Sequence, residues 1–168
     1  MYTLFHHPFC PHSRFIRLVL GEYGFDLRLV EERVWERREG FLALNPACTT
    51  PVLFTDGQPA VPGAAIIAEF IDETRGAEMG ERRLLPTTMG ERIEVRRLMA
   101  WFNEKFFEEA SNPLVTERIY KRFMSEQNGG GSPATDVIRA AKSNVRRRWF
   151  ALGFVRRFIG ANSLSCMG

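Results

Sequence analysis

The 168-residue sequence predicts two folded parts, a small α/β domain followed by an all-α one. Over residues 1–75, segments with strand-type alternation take turns with segments of helical spacing, the pattern of a compact α/β unit. Beyond Thr88 only the helical period remains, interrupted by Gly129-Gly130-Gly131. A third observation locates chemistry: Cys10-Pro11-His12-Ser13 stands where the first strand hands over to the first helix. Unpaired N–H groups and the helix dipole favour a thiolate at such a position.

Each element follows in order. Tyr2 to His6 reads as a strand, and Phe15, Ile16, Leu18, Val19 and Leu20 give the next segment an apolar helical face. Gly24 ends that helix, and Asp26 to Val30 makes a second strand. Trp35 to Leu44, charged and partly apolar, predicts an irregular helix before Asn45-Pro46. Pro51 to Phe54 is a third strand, and Asp56-Gly57 is a hairpin turn into Pro59-Ala60-Val61. Ala64 to Thr74 closes the unit as an Ala/Ile-rich helix, so the order is β-α-β-α-β-β-α.

The polar stretch with Gly76, Gly80 and Pro86 predicts a linker over 76–88. Ile93, Leu98, Met99, Phe102 and Phe106 then mark a long helix, and Leu114, Val115, Ile119, Phe123 and Met124 mark another over Pro113 to Ser125. Pro133 opens a further helix through Val137, Ile138 and Ala141. The expected domains are therefore 1–75, a helical domain over 89–145, and an atypical tail over 146–168. Gly129 to Gly131 lies between helices, which fits a flexible connector better than a phosphate-binding loop.

Composition narrows the function classes. A hydrophobic content of 45% and a charged content of 26% are those of a soluble globular protein. No apolar run reaches the ~20 residues of a membrane span, and the start lacks the plan of a secretion signal, so the expected location is the cytoplasm. Cys10, Cys48 and Cys166 are odd in number and far apart, which fits free thiols in a reducing compartment. The net charge is +3, but Arg146, Arg147, Arg148, Arg156 and Arg157 fall in a stretch without acids. Without these five, 18 basic residues face 20 acidic ones, a balance of −2 that carries no nucleic-acid signature.

Several motifs together resemble the glutathione S-transferase superfamily: Phe9-Cys10-Pro11-His12-Ser13-Arg14, Leu44-Asn45-Pro46, Thr50-Pro51-Val52-Leu53, and the helix end Ala68 to Glu73. The resemblance covers about residues 1 to 145 and implies an α/β thioredoxin-like N-terminal domain plus a shortened all-α C-terminal domain. It implies a cis Thr50-Pro51 bond that offers the Thr50 backbone to the cysteinyl part of glutathione, the alternative being a proline that merely starts a strand. It also implies Cys10 as a nucleophile tuned by His12, against the alternative of a small buried hydrophobe.

The pattern departs at Gly63 and Ala64, where the family carries an acid and a serine that hold the γ-glutamyl end of glutathione. Only their backbone remains to bind a carboxylate. An unpaired ligand ammonium there costs a few kcal/mol, more than tenfold in affinity.

A narrower resemblance fits this loss. Trp35 to Pro46 and Arg96 to Phe106 are similar to the alphaproteobacterial FtsZ-localised protein A group, dimers of this fold that bind FtsZ filaments in cell division. Two functions of different class follow from the resemblance. One is a non-catalytic binding protein for FtsZ; the other is a cysteine-type glutathione S-transferase or thiol transferase using Cys10, with glutathione as cosubstrate. Trp101, Phe102, Phe106 and Phe107 serve either as helix core or in a dimer seam.

Other constellations carry less. His6 and His7 point to opposite faces of one strand, so with His12 they predict no metal site. Arg14 reads as a solvated side chain near Cys10. Arg37-Arg38 and Arg96-Arg97 are interleaved with Glu, which fits intrahelical pairs on solvated faces. The acid-free tail reads as out of frame or abnormally truncated; the other reading is a basic, aromatic segment lying on an anionic membrane or a partner. Its apolar residues keep to no single face, which favours the first.

Overall fold

The computed structural model describes residues 1–147. The tail expected from residue 146 lies, from Arg148 onward, outside the described residues, as does Cys166. The chain divides into two compact units, residues 1–107 and residues from 108 on.

The first unit is built on a four-stranded sheet of β1 (Tyr2–His6), β2 (Leu27–Glu31), β3 (Val52–Phe54) and β4 (Val61–Pro62), in the order β2-β1-β3-β4. β1 runs parallel to β2, with Leu4 opposite Leu29, and antiparallel to β3, with Leu4 opposite Leu53. The parallel pair needs a crossover, and α1 (Pro11–Glu22) supplies it. Strand alternation then sorts β1 between two cores. Leu4 joins Ile16 and Leu20 of α1 and Ile67 and Ile71 of α3 (Ala64–Arg75), whereas Phe5 packs toward Phe41, Cys48 and Val52. Each such buried aliphatic contributes roughly 1.5–3 kcal/mol by leaving water.

α1 begins at Pro11, whose missing N–H is no loss in a first turn, and ends at Glu22, with Tyr23 as its C-cap and Gly24 next at a left-handed φ of 64°. Leu18 departs from the expected apolar face: it is 61% exposed, because Ile16, Val19 and Leu20 already fill the stripe toward the sheet. The segment expected as one irregular helix splits into a 3-10 turn at Val34–Glu36 and α2 (Glu39–Leu44). The break falls at Arg37, whose backbone is left-handed (φ 46°, ψ 44°).

Residues 76–88 are fastened to α1 and α3. Gly76–Arg82 forms 3-10 turns, and Arg83 donates two hydrogen bonds to the buried Asp72 of α3, at 2.8 and 2.6 Å. Arg92 of α4 (Met89–Ala100) adds a third at 3.3 Å. The Tyr23 hydroxyl donates to Asp72 at 3.2 Å and accepts from the Leu84 N–H at 3.1 Å. Trp101–Ser111 follows as a π-helical stretch in which Trp101 stacks on Phe106 at 5.8 Å.

The arginine pairs differ in part from the intrahelical expectation. Arg97 does pair with Glu94 one turn away, but Arg96 reaches Glu69 of α3 through two 2.8 Å hydrogen bonds. Arg38 pairs with Glu32, whose carboxylate is buried and would otherwise lack a counter-charge. The Glu32 pair meets a carboxylate that has lost water, whereas the Glu69 pair stays partly exposed.

In the second unit, α5 (Asn112–Arg118) stops short of the expected Ser125. The chain leaves helical geometry at Ile119 (φ −122°, ψ −64°) and tightens into 3-10 turns at Tyr120–Arg122 and Glu126–Asn128. Residues 135–147 are helical, as α6. Glu117 ties α5 to the approach of α6 by accepting from the Ala134 N–H at 2.7 Å, and it pairs with Lys121 at 2.7 Å. Gly129 to Gly131 form a tight turn rather than a loose connector, since a Cβ on Gly130 would overlap the Met124 carbonyl.

Candidate functional site

Cys10 is the N-cap of α1 and is 8% exposed. Its sulfur meets donors from three directions. Burial pushes the thiol up, but hydrogen bonds from His12, from the hydroxyl and N–H of Ser13, and from the Thr50 side chain bring it down to about 7. The thiol also donates to the Thr50 carbonyl at 3.6 Å, a long contact that favours the protonated form. Four donor groups from three residues, against one distant acceptor, favour the thiolate.

Ser13 is fully buried and accepts the His7 N–H at 3.3 Å. That bond ties the start of α1 to the end of β1. Thr50 is buried as well, and the Thr50-Pro51 peptide is cis. Gly63 closes this side: its N–H donates to the Pro51 carbonyl at 3.0 Å, and its own carbonyl accepts from Ile67 to begin α3.

Gly63 sits at φ 88° and ψ 142°, a region that only glycine enters freely. Neither Gly63 nor the buried Ala64 presents a polar side chain at this helix start. Gly63→Ala is expected to lower stability by about 1–2 kcal/mol in thermal denaturation, through backbone conformation alone. A Cβ there meets nothing within 4 Å.

His12 is the second member of the centre. Burial lowers its pKa, but the Cys10 sulfur and the Asn103 carbonyl together raise it above its ordinary value. Its Nε2 donates to the Asn103 carbonyl at 2.7 Å, and its ring lies 4.1 Å from the Phe107 ring. Phe107 reads from sequence only as helix core or dimer seam, and the contacts of Asn103 and Phe107 with His12 were not legible, because both stand more than ninety residues from it and share no motif with it. Ser13 was legible only as a neighbour in Cys10-Pro11-His12-Ser13.

The remaining histidines stay apart. His7 packs edge-on against Trp35 at 5.3 Å and near Phe9, and burial lowers both His6 and His7. Among the described residues no cluster of three or more His, Cys, Asp or Glu stands ready for a metal. Arg14 is exposed. Cys48, in a left-handed backbone turn, donates to the Val34 carbonyl at 3.2 Å and belongs to the Phe41 core.

Known proteins share sequence and fold with this chain. Residues 9–74 match the glutathione S-transferase N-terminal domain family. FtsZ-localized protein A from Caulobacter vibrioides is 32% identical over 160 residues, covering 94% of this chain and 65% of that protein. The chain thus spans somewhat less than two thirds of that curated relative. A crystal structure of a glutathione S-transferase from Sinorhizobium meliloti 1021 is 46% identical, with a TM-score of 0.89 over 92% of this chain and 67% of its own. The structure of FzlA from C. crescentus is 33% identical, with a TM-score of 0.78 over 95% of this chain and 67% of its own. With sequence identity and fold agreeing over nine tenths of its length, this chain belongs to the glutathione S-transferase superfamily.

Proposed function

We propose that this chain is a non-catalytic member of the superfamily that binds a protein partner, FtsZ filaments in cell division, acting as a cytoplasmic homodimer. The start of α3 carries the proposal: Gly63 and Ala64 leave the ammonium of a γ-glutamyl ligand without a carboxylate and its carboxylate without a hydroxyl. A bound ammonium lacking its counter-charge weakens binding by more than tenfold. The identity to FtsZ-localized protein A supports the choice of partner. In sedimentation at low salt, the purified protein is expected to pellet with FtsZ polymers and to stay in solution without them. Equal recovery in both supernatants overturns the proposal.

A second reading has its own support. The Cys10 thiol near 7, with its donors and the Thr50 backbone beside it, retains the reactive half of a cysteine-type glutathione S-transferase or thiol transferase, with glutathione as cosubstrate. Titration calorimetry and thermal shift at millimolar glutathione separate the two readings. No heat and no shift are expected if the first holds; saturable binding together with turnover lost in Cys10→Ser establishes the second.

A further inference from the structure

We infer that the Trp101–Ser111 segment, through the Asn103 carbonyl and the Phe107 ring, positions His12 as the proton acceptor for Cys10. The inference rests on the second reading of Cys10, as a working thiol. A carbonyl oxygen only accepts, so the 2.7 Å contact requires the proton on Nε2. In the neutral ring Nδ1 is then the one basic nitrogen. The Phe107 ring, 4.1 Å away and inclined by 38°, fixes the plane in which that nitrogen is presented. Cys10 is the N-cap of the helix that carries His12, and its sulfur raises the His12 pKa, which links thiol, imidazole and carbonyl. Here an uncharged backbone oxygen orients the base, a task that a carboxylate performs in other nucleophile–histidine pairs.

The proton balance is simple. Cys10 passes its proton to Nδ1, giving a thiolate beside an imidazolium, while Nε2–H stays on the Asn103 oxygen. When the thiolate attacks a disulfide, a new S–S bond forms at the attacked sulfur, the old one breaks, and the departing thiolate takes the proton from Nδ1. Cys10 is the ionisable group acting on His12; the other two groups packed on the ring, the carbonyl and the phenyl, carry no charge. Asn103 and Phe107 are therefore positioning residues, and their effect reaches the sulfur only through His12.

The test follows thiolate absorbance against pH in the full chain, with Cys10→Ser as the blank, beside His12→Asn and Phe107→Leu. Alkylation of Cys10 by iodoacetamide is read in parallel by peptide mass. Native Cys10 is expected to titrate near 7. His12→Asn is expected to move the titration toward the ordinary thiol value of about 8.5 and to slow alkylation at neutral pH roughly tenfold. Phe107→Leu should move both in the same direction by less. Nitrogen NMR of the native protein should find the neutral His12 proton on Nε2, a readout independent of any variant's folding.

A proton on Nδ1, or a His12→Asn titration still near 7, overturns the inference while leaving a thiol activated by the helix start. A Phe107→Leu profile identical to the native one overturns the role of the ring. Native Cys10 titrating in the ordinary thiol range instead removes the second reading itself.

Discussion

Replacing Asp72 by Asn is expected to lower the free energy of unfolding by about 3 kcal/mol, measured by urea denaturation of the purified chain. Asp72 is 2% exposed and receives Arg83, Arg92 and Tyr23 together. Asn keeps the shape and can still accept from Tyr23, but it strands the Arg83 guanidinium in a partly dry site, while Arg92 keeps Glu69 at 3.7 Å. Arg83 and Arg92 retain about a fifth of their side-chain exposure, which places the cost at the lower end of the range for a broken buried pair. Glu94→Gln, which breaks the exposed pair with Arg97, should leave the denaturation midpoint nearly unchanged.

The same site sets an acid limit. Hydrogen bonds from Arg83 hold the Asp72 carboxyl below its usual range, against the opposing effect of burial. Its folded pKa therefore lies under its unfolded one. The stabilisation is complete above the unfolded value, about 3.9, and is lost as the pH falls through the folded value. Asp72→Asn should accordingly lose its deficit relative to the native chain only at strongly acid pH.

Phe41→Ala is expected to cost about 3–5 kcal/mol in the same assay. Phe41 is 1% exposed, its ring lies 5.8 Å from that of Phe5, and it shares a core with Cys48 and Val52. Removing the ring deletes its transfer energy and leaves a hole between α2 and the sheet. Phe41→Leu, which keeps more of the volume, should cost about half as much. Val52 directly follows Pro51, so this core also supports the Thr50 backbone beside Cys10. The alanine variant should therefore change the alkylation rate of Cys10 as well, which the leucine variant should largely spare.

Local order was well announced. The strands, the start of α1 and the span of α3 follow from periods of two and of three to four residues, because each element buries one face. Cys10 at the helix start and Gly63-Ala64 at the next were visible because their meaning depends on adjacent residues and on motif order. The early end of α5 at Arg118 was not visible, since Phe123 and Met124 continue the apolar period after the backbone has left the helix. Leu18 misled for a related reason: the period marks which residues are apolar, not how wide a stripe the sheet will cover.

By itself, the sequence determined the α/β order, the placing of a cysteine at a helix amino terminus, and the loss of the two polar side chains at the start of α3. Those are matters of short-range spacing and of residue type. Tertiary structure alone decided that Asn103 and Phe107 hold His12, that Arg83 and Arg92 converge on Asp72, and that Arg96 and Arg38 leave their helical neighbours for Glu69 and Glu32. A buried or half-buried charge takes whichever partner folding brings within reach, and that partner's distance along the chain leaves no trace in local pattern.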